Sequence, residues 1–167
     1  MNEAAAKIEP GSNGLQMLPF GNGAERMLEN KLVQSHIHNI DLNIHGPAHL
    51  FRAAQEGIAF AFRYGLDIMR ENGMNPSVIR AGKANMFLSD VFTRSFVNAT
   101  NVPVELHDCD GSLGAAVGAG MGVGYYKTAR EAFSNTKPLN TVEPDQSTLY
   151  DGLYHEWKEL LEARLNK

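Results

Sequence analysis

A chain of 167 residues with 43% hydrophobic content is long enough to bury one ordinary core without disulfides or metal staples. Its formal net charge of −4, with acids and bases interspersed, offers no basic stripe for a nucleic-acid backbone and no polybasic segment for a membrane surface. No apolar run approaches the roughly 20 residues that span a bilayer, no secretory leader is legible, and the lone Cys109 cannot close an internal disulfide, so a cytoplasmic protein without nucleic-acid or membrane partners is expected.

In chain order, the small residues after Met1 predict a short helix, and Pro10-Gly11-Ser12-Asn13-Gly14 a loop. Leu15 to Phe20 alternates briefly before Pro19 and suits an extended segment or edge strand. A long loop is expected over about 20–45, because no sustained period of 2 or 3.6 appears there. Pro47 then opens the clearest helix. Leu50, Ala53, Ala54, Gly57, Ile58, Ala61, Gly65, Leu66 and Met69 follow helical spacing, and the small residues among them let another element pack closely. Asn72-Gly73 stops it. Ser77 to Ala81 reads as a strand leading into Gly82, Asn85 to Phe96 as a helix, and Val102 to Leu106 as a second strand. Gly111 to Tyr126 reads as a Gly/Ala helix suited to close packing. A polar surface linker follows over about 134–147, and Thr148 to Leu165 closes the chain as an amphipathic helix. This order predicts an α/β layer of short parallel strands packed with helices, the two strands being neighbours.

Ligands of open α/β sheets gather where the carboxyl ends of strands meet helix N-termini, which singles out Ala81, Gly82, Lys83, Ala84 and Asn85. On spacing alone, Asn85 is read first as an N-cap and Lys83 as a solvated turn residue. Asp110 is an ordinary cap candidate. The glycines from Gly111 to Gly124 mimic dinucleotide spacing, but they sit within a predicted helix instead of between a strand and a helix. His36, His38, His45 and His49 lack cysteine partners and a helical His-x-x-x-His with a Glu, so no metal site is expected. No hydrolase elbow or Walker loop is present, Cys109 between Asp108 and Asp110 lacks the electropositive neighbours that activate a thiolate, and Glu56 and Arg63 read as ion-pair or loop-anchoring residues.

Read together, four blocks resemble the C-terminal part of the FGGY carbohydrate kinases, nearest the xylulokinases. Leu18-Pro19-Phe20 through Gly23-Ala24-Glu25-Arg26 is similar to the family's Leu-Pro-Tyr and Gly-Glu-Arg-Thr-Pro segment. His45 to Phe60 is similar to its second signature, with an Arg-Ala-x-x-Glu-Gly core at Arg52 to Gly57. Val78 to Asn85 resembles the adenosine motif, and Asp110 to Ala116 the helix that backs it. The chain departs from the pattern at Asp41-Leu42-Asn43 in place of Gly-Leu-Thr, at Gln55 in a normally apolar position, at Ala81-Gly82 in place of a glycine run, and at Arg26-Met27-Leu28 in place of Arg-Thr-Pro.

The resemblance implies one actin/ribonuclease-H-like C-terminal domain portion over residues 1–167, ATP or ADP bound at Ala81, Gly82, Lys83 and Asn85, and Mg²⁺ in the full-length enzyme. It implies transfer of the γ-phosphate to a ketose such as D-xylulose. It also implies that the catalytic aspartate, the sugar pocket and the main phosphate hairpins lie N-terminal to the matched region, so no catalytic residue and no metal ligand is assigned here and the chain alone should be inactive. Two other readings stand beside it. One is a non-catalytic interaction or oligomerisation module, assembling as a homodimer through its small-residue helices; the other is a dinucleotide-binding oxidoreductase fragment.

Overall fold

Apolar side chains at helical spacing wrap around one long helix, α2 (Pro47–Glu71), which serves as the spine of the molecule. The computed structural model describes residues 1–21, 25–132 and 137–166. Pro47 sits in the first turn of α2 after an extended Gly46, and His49 Nδ1 accepts the Gly46 N–H at 3.2 Å. At the other end Gly73 takes the left-handed conformation (φ 84°) and its N–H reaches Arg70 O at 2.9 Å, so the expected stop is the one observed.

Before α2 lie α1 (Asn2–Ala5), β1 (Gln16–Pro19) and β2 (Ser35–His38). After it come β3 (Ile79–Gly82), α3 (Asp90–Thr100), β4 (Val104–His107), α4 (Gly111–Gly122), α5 (Ala129–Ala132), β5 (Asn140–Val142) and α6 (Ser147–Leu165). β3 and β4 pair in parallel, with Ile79 opposite Val104 and Gly82 opposite His107, which is the predicted neighbour relation. β5 adds antiparallel to the far side of β4, giving the order β3-β4-β5.

Three expectations are corrected. The loop expected over 20–45 contains β2, antiparallel to β1 with Gln16 opposite His38 and Pro19 opposite Ser35. Its alternation runs inverted: His36 and His38 are half-buried while Ile37 is exposed, so polarity hides the strand. The linker expected over 134–147 contains β5, a three-residue strand whose one apolar side chain is Val142; residues 134–136 of that stretch lie outside the described residues, as do 22–24 of the loop. The helix expected from Asn85 breaks in two: a 3-10 turn over Asn85–Leu88, then α3.

α2 is shared by two cores. Phe60 joins Leu18, Phe20, Tyr150, Tyr154, Trp157 and Leu161, placing β1 and α6 on one flank. Ala59 joins Phe92, Phe96, Val97, Val104 and Leu106, placing α3 and the sheet on the other. Arg63 and Arg70 donate to the Ala99 and Thr100 carbonyls, satisfying the last turn of α3 with positive charge where the helix dipole favours it. Arg63 also pairs with Asp67 at 2.9 Å, the ion-pair role expected of it. No helix among the described residues is long and apolar enough to cross a membrane.

Candidate functional site

The carboxyl ends of β3 and β4 lie side by side, and the segments that leave them touch. Lys83 N–H and Cys109 N–H both donate to the His107 carbonyl, at 2.8 and 2.9 Å, and Ala84 N–H turns back onto Gly82 O at 2.8 Å. Gly82 is required by this contact: a Cβ there would lie 2.2 Å from the Cys109 carbonyl oxygen, closer than any side chain can approach. The glycine therefore serves strand packing first.

The predicted ligand residues divide by direction. The Ala81 methyl packs against the α3 core, whereas Lys83 and Asn85 are exposed. Asn85 opens the 3-10 turn at φ 50°, a left-handed conformation that asparagine tolerates better than most residues. It is not the helix cap that its spacing suggested. Ser89 caps α3 instead, its Oγ accepting the Phe92 N–H at 3.4 Å, and the Asn85 amide has no hydrogen-bond partner among the described residues. Asp110 is the cap expected for α4: its Oδ1 accepts from Ser112 N–H at 2.9 Å and from Leu113 N–H at 3.4 Å. Hydrogen bonding from the Ser112 hydroxyl, then from the backbone, holds the Asp110 carboxyl below the usual carboxylate range.

The opposite sheet face carries Arg80, Glu105 and His107. Arg80 Nε donates to Glu105 at 2.8 Å, and His107, 8% exposed, keeps its Nε2 3.5 Å from the same carboxylate without a hydrogen bond. Sequence reading missed this trio, although Glu105 and His107 at strand spacing two apart carry the signal.

Three other expectations meet the structure here. The glycines of α4 mostly do not pack closely: a Cβ at Gly120 would meet the Tyr126 ring at 3.1 Å, but around Gly111, Gly114, Gly118 and Gly122 no described atom beyond the chain neighbours and the helix's own backbone lies within 4 Å of where a Cβ would stand, and Val117 is the one buried residue of the helix. Gly111–Gly122 being helical throughout, a dinucleotide turn is absent from it. His36, His45 and His49 serve as hydrogen-bond partners, while His38 Nε2 is buried without one among the described residues. His36 Nε2 meets Val33 O at 2.8 Å, and His45 Nδ1 accepts the Asp41 N–H at 2.9 Å; no group of three or more His, Cys, Asp or Glu that could hold a metal occurs among the described residues.

Beside the turn, an apolar groove of about 1030 Å³ runs between α2 and β3, lined among others by Ile58, Phe62, Met69, Ile79 and Phe87. Among the described residues β3 pairs with β4 alone, so its other edge is unpaired there.

A parallel strand pair with a small-residue turn at its carboxyl end, packed on α2 and α3, gives a mixed α/β fold of the actin/ribonuclease-H-like class. The model of the FGGY family of carbohydrate kinases, C-terminal domain, matches residues 1–123, and the chain belongs to that family. It is 30% identical over 170 residues to the L-xylulose/3-keto-L-gulonate kinase of Escherichia coli (strain K12), covering 98% of this chain and 33% of that one. It is 36% identical over 80 residues to the xylulose kinase of Haemophilus influenzae, covering 48% and 16%. The chain thus spans 33% of the first relative's length. Among solved structures, the xylulose kinase from Rhodospirillum rubrum superposes with a TM-score of 0.78 at 23% identity, covering 99% of this chain and 34% of that one. The Plasmodium falciparum glycerol kinase with ADP superposes with a TM-score of 0.76 at 21% identity, covering 98% and 33%.

Proposed function

We propose that this chain is the C-terminal, nucleotide-side part of an ATP-dependent cytoplasmic sugar kinase, and that adenosine lies against Ala81, Gly82, Lys83 and Asn85. The observation that carries the reading is the Asn85 amide: exposed, left-handed in φ, unused as a cap, and at the carboxyl end of a parallel strand. An amide donor and acceptor beside a small-residue turn suits a flat base and its ribose. The residues present do not fit Mg²⁺, since no acidic cluster stands at the turn and Asp110 is engaged by the start of α4. On this reading metal and phosphates are held by a further part of the enzyme, which also supplies the aspartate that takes the proton of a hydroxyl of a ketose such as D-xylulose as the γ-phosphoryl group moves onto it. The uncovered groove beside β3 supports such a part.

Calorimetric titration with ADP tests this. Wild type should bind, and Asn85→Ala should bind about tenfold more weakly, the loss expected of one well-made polar contact. Unchanged affinity removes Asn85 from the site. In a coupled assay with D-xylulose the chain alone should be inactive, because positioning and metal-assisted charge stabilisation are both missing; turnover would overturn that claim.

A second reading, self-association as a homodimer, is favoured by α4, a Gly/Ala helix with Val117 as its one buried residue. Sedimentation velocity decides it: a concentration-independent monomer removes this reading.

A further inference from the structure

The geometry points to Gln55 as a positioning residue for the candidate nucleotide turn, acting through Ser89 on Asn85. This rests on the reading of that turn as the nucleotide site.

Gln55 is 7% exposed in the middle of α2, 30 residues before the turn in sequence, and a buried amide there must find partners. Its Nε2 donates to Phe51 O at 3.2 Å, which orients the amide and leaves Oε1 facing away from its own helix. That Oε1 accepts the Ser89 hydroxyl at 2.6 Å. With its proton committed to Gln55, Ser89 Oγ is left as the acceptor for Phe92 N–H at the start of α3. Ser89, 4% exposed, is the joint between the 3-10 turn and α3; its N–H donates to Met86 O at 3.0 Å, and its carbonyl accepts Thr93 N–H at 2.9 Å.

The segment from Lys83 to Ser89 is thus held at three points. Lys83 N–H is fixed to β4, the Phe87 ring lies 5.2 and 5.3 Å from those of Phe92 and Phe96, and Ser89 is fixed to Gln55. Asn85 lies between the first two, in a left-handed conformation that a short tether must maintain. Two of these anchors belong to the sheet and to α3; among the described residues the Gln55 bridge is the one hydrogen bond that ties the turn to α2. Without it Ser89 keeps its cap but can rotate its hydroxyl to Thr93 or solvent, and the turn gains freedom at its carboxyl end.

The test is ADP titration of wild type, Gln55→Leu, Ser89→Thr, Asn85→Ala and Gln55→Leu/Asn85→Ala, with thermal unfolding recorded for each. Leucine keeps the volume of the amide, so the fold is retained. Gln55→Leu should weaken ADP binding on the order of five- to tenfold, whereas Ser89→Thr, which preserves the hydroxyl, should bind as wild type. In the Asn85→Ala background the same Gln55→Leu change should cost no further affinity, although it lowers the unfolding temperature in both backgrounds. A purely structural role would give equal losses in both. A second readout is the Asn85 side-chain amide resonance in the nucleotide-free protein, which should shift in Gln55→Leu. Wild-type ADP affinity in Gln55→Leu, equal losses in the two backgrounds, or an unmoved Asn85 resonance overturns the inference while leaving the site in place. Absence of ADP binding by wild type removes the site and this inference with it, and wild-type affinity in Asn85→Ala removes Asn85 from the site and overturns this inference.

Discussion

Replacing Arg52 with methionine is expected to destabilise the protein by about 3–5 kcal/mol at neutral pH, a large share of the roughly 5–15 kcal/mol that holds a domain folded. Arg52 Nε donates to Glu56 Oε1 at 2.8 Å, its Nη1 to Ile8 O at 2.7 Å, and its Nη2 to the Tyr150 hydroxyl at 3.1 Å. Glu56 in turn accepts the Gly11 N–H at 3.1 Å, and Tyr150 meets Ser95 at 3.1 Å. The N-terminal segment, α2, α3 and α6 are therefore joined at one point inside the molecule. Glu56 is 3% exposed, and burial pushes its carboxyl above the usual range while Arg52 pulls it down. Methionine fills the space of the stem but leaves a carboxylate without its counter-ion.

The sign of the pH dependence follows. In the variant the folded Glu56 holds its proton more tightly than the unfolded chain does, so stability falls as pH rises through the folded carboxyl's raised pKa and recovers below it. Urea unfolding should show a larger deficit at pH 8 than at pH 5, with the denaturant slope unchanged. A loss under about 1 kcal/mol at both, the range of an exposed pair, would show that the network does not hold these segments together.

The second large effect is expected at Gly57. A Cβ there would stand 2.2 Å from the Met17 carbonyl oxygen, where α2 crosses β1. That oxygen cannot retreat freely, because the Trp157 indole N–H donates to it at 2.8 Å and Leu18 beside it is wholly buried. Gly57→Ala gains up to about 1 kcal/mol of helix propensity but must push helix and strand apart, a cost at or above the upper end of the about 1–3 kcal/mol typical of overpacking. The net sign is destabilising. Trp157 is the one tryptophan, so its emission reports the displacement directly, shifting as its indole loses its fixed acceptor. A variant with wild-type unfolding temperature and unshifted emission would mean that the contact relaxes without loss.

Much of the site's frame was legible. The strand, glycine and helix order around Gly82 predicted a parallel pair with a turn at its carboxyl end, and that pair is the one observed. The role of Asn85 was not, because cap and free amide share one local pattern; Ser89, four residues on, takes the cap instead, and its hydroxyl donates to Gln55 of another helix. Gln55 itself reads in one dimension as a polar intrusion in an apolar stripe.

What the sequence determined by itself is the set of elements whose burial depends on their own periodicity: α2, α6, and the β3 and β4 segments, where apolar residues alternate with polar ones, together with the family to which the four ordered blocks belong. The tertiary structure alone decided the rest. β2 and β5 are strands because β1 and β4 offer them ladders, since three or four residues make no stable strand without a partner. Gly57 and Gly82 are indispensable because of the Met17 and Cys109 carbonyls, which come from distant segments. Arg52, Glu56 and Gln55 can be buried only because Gly11, Tyr150 and Ser89 satisfy them. Each of these depends on a contact between residues far apart in the chain, and local periodicity carries no information about such contacts.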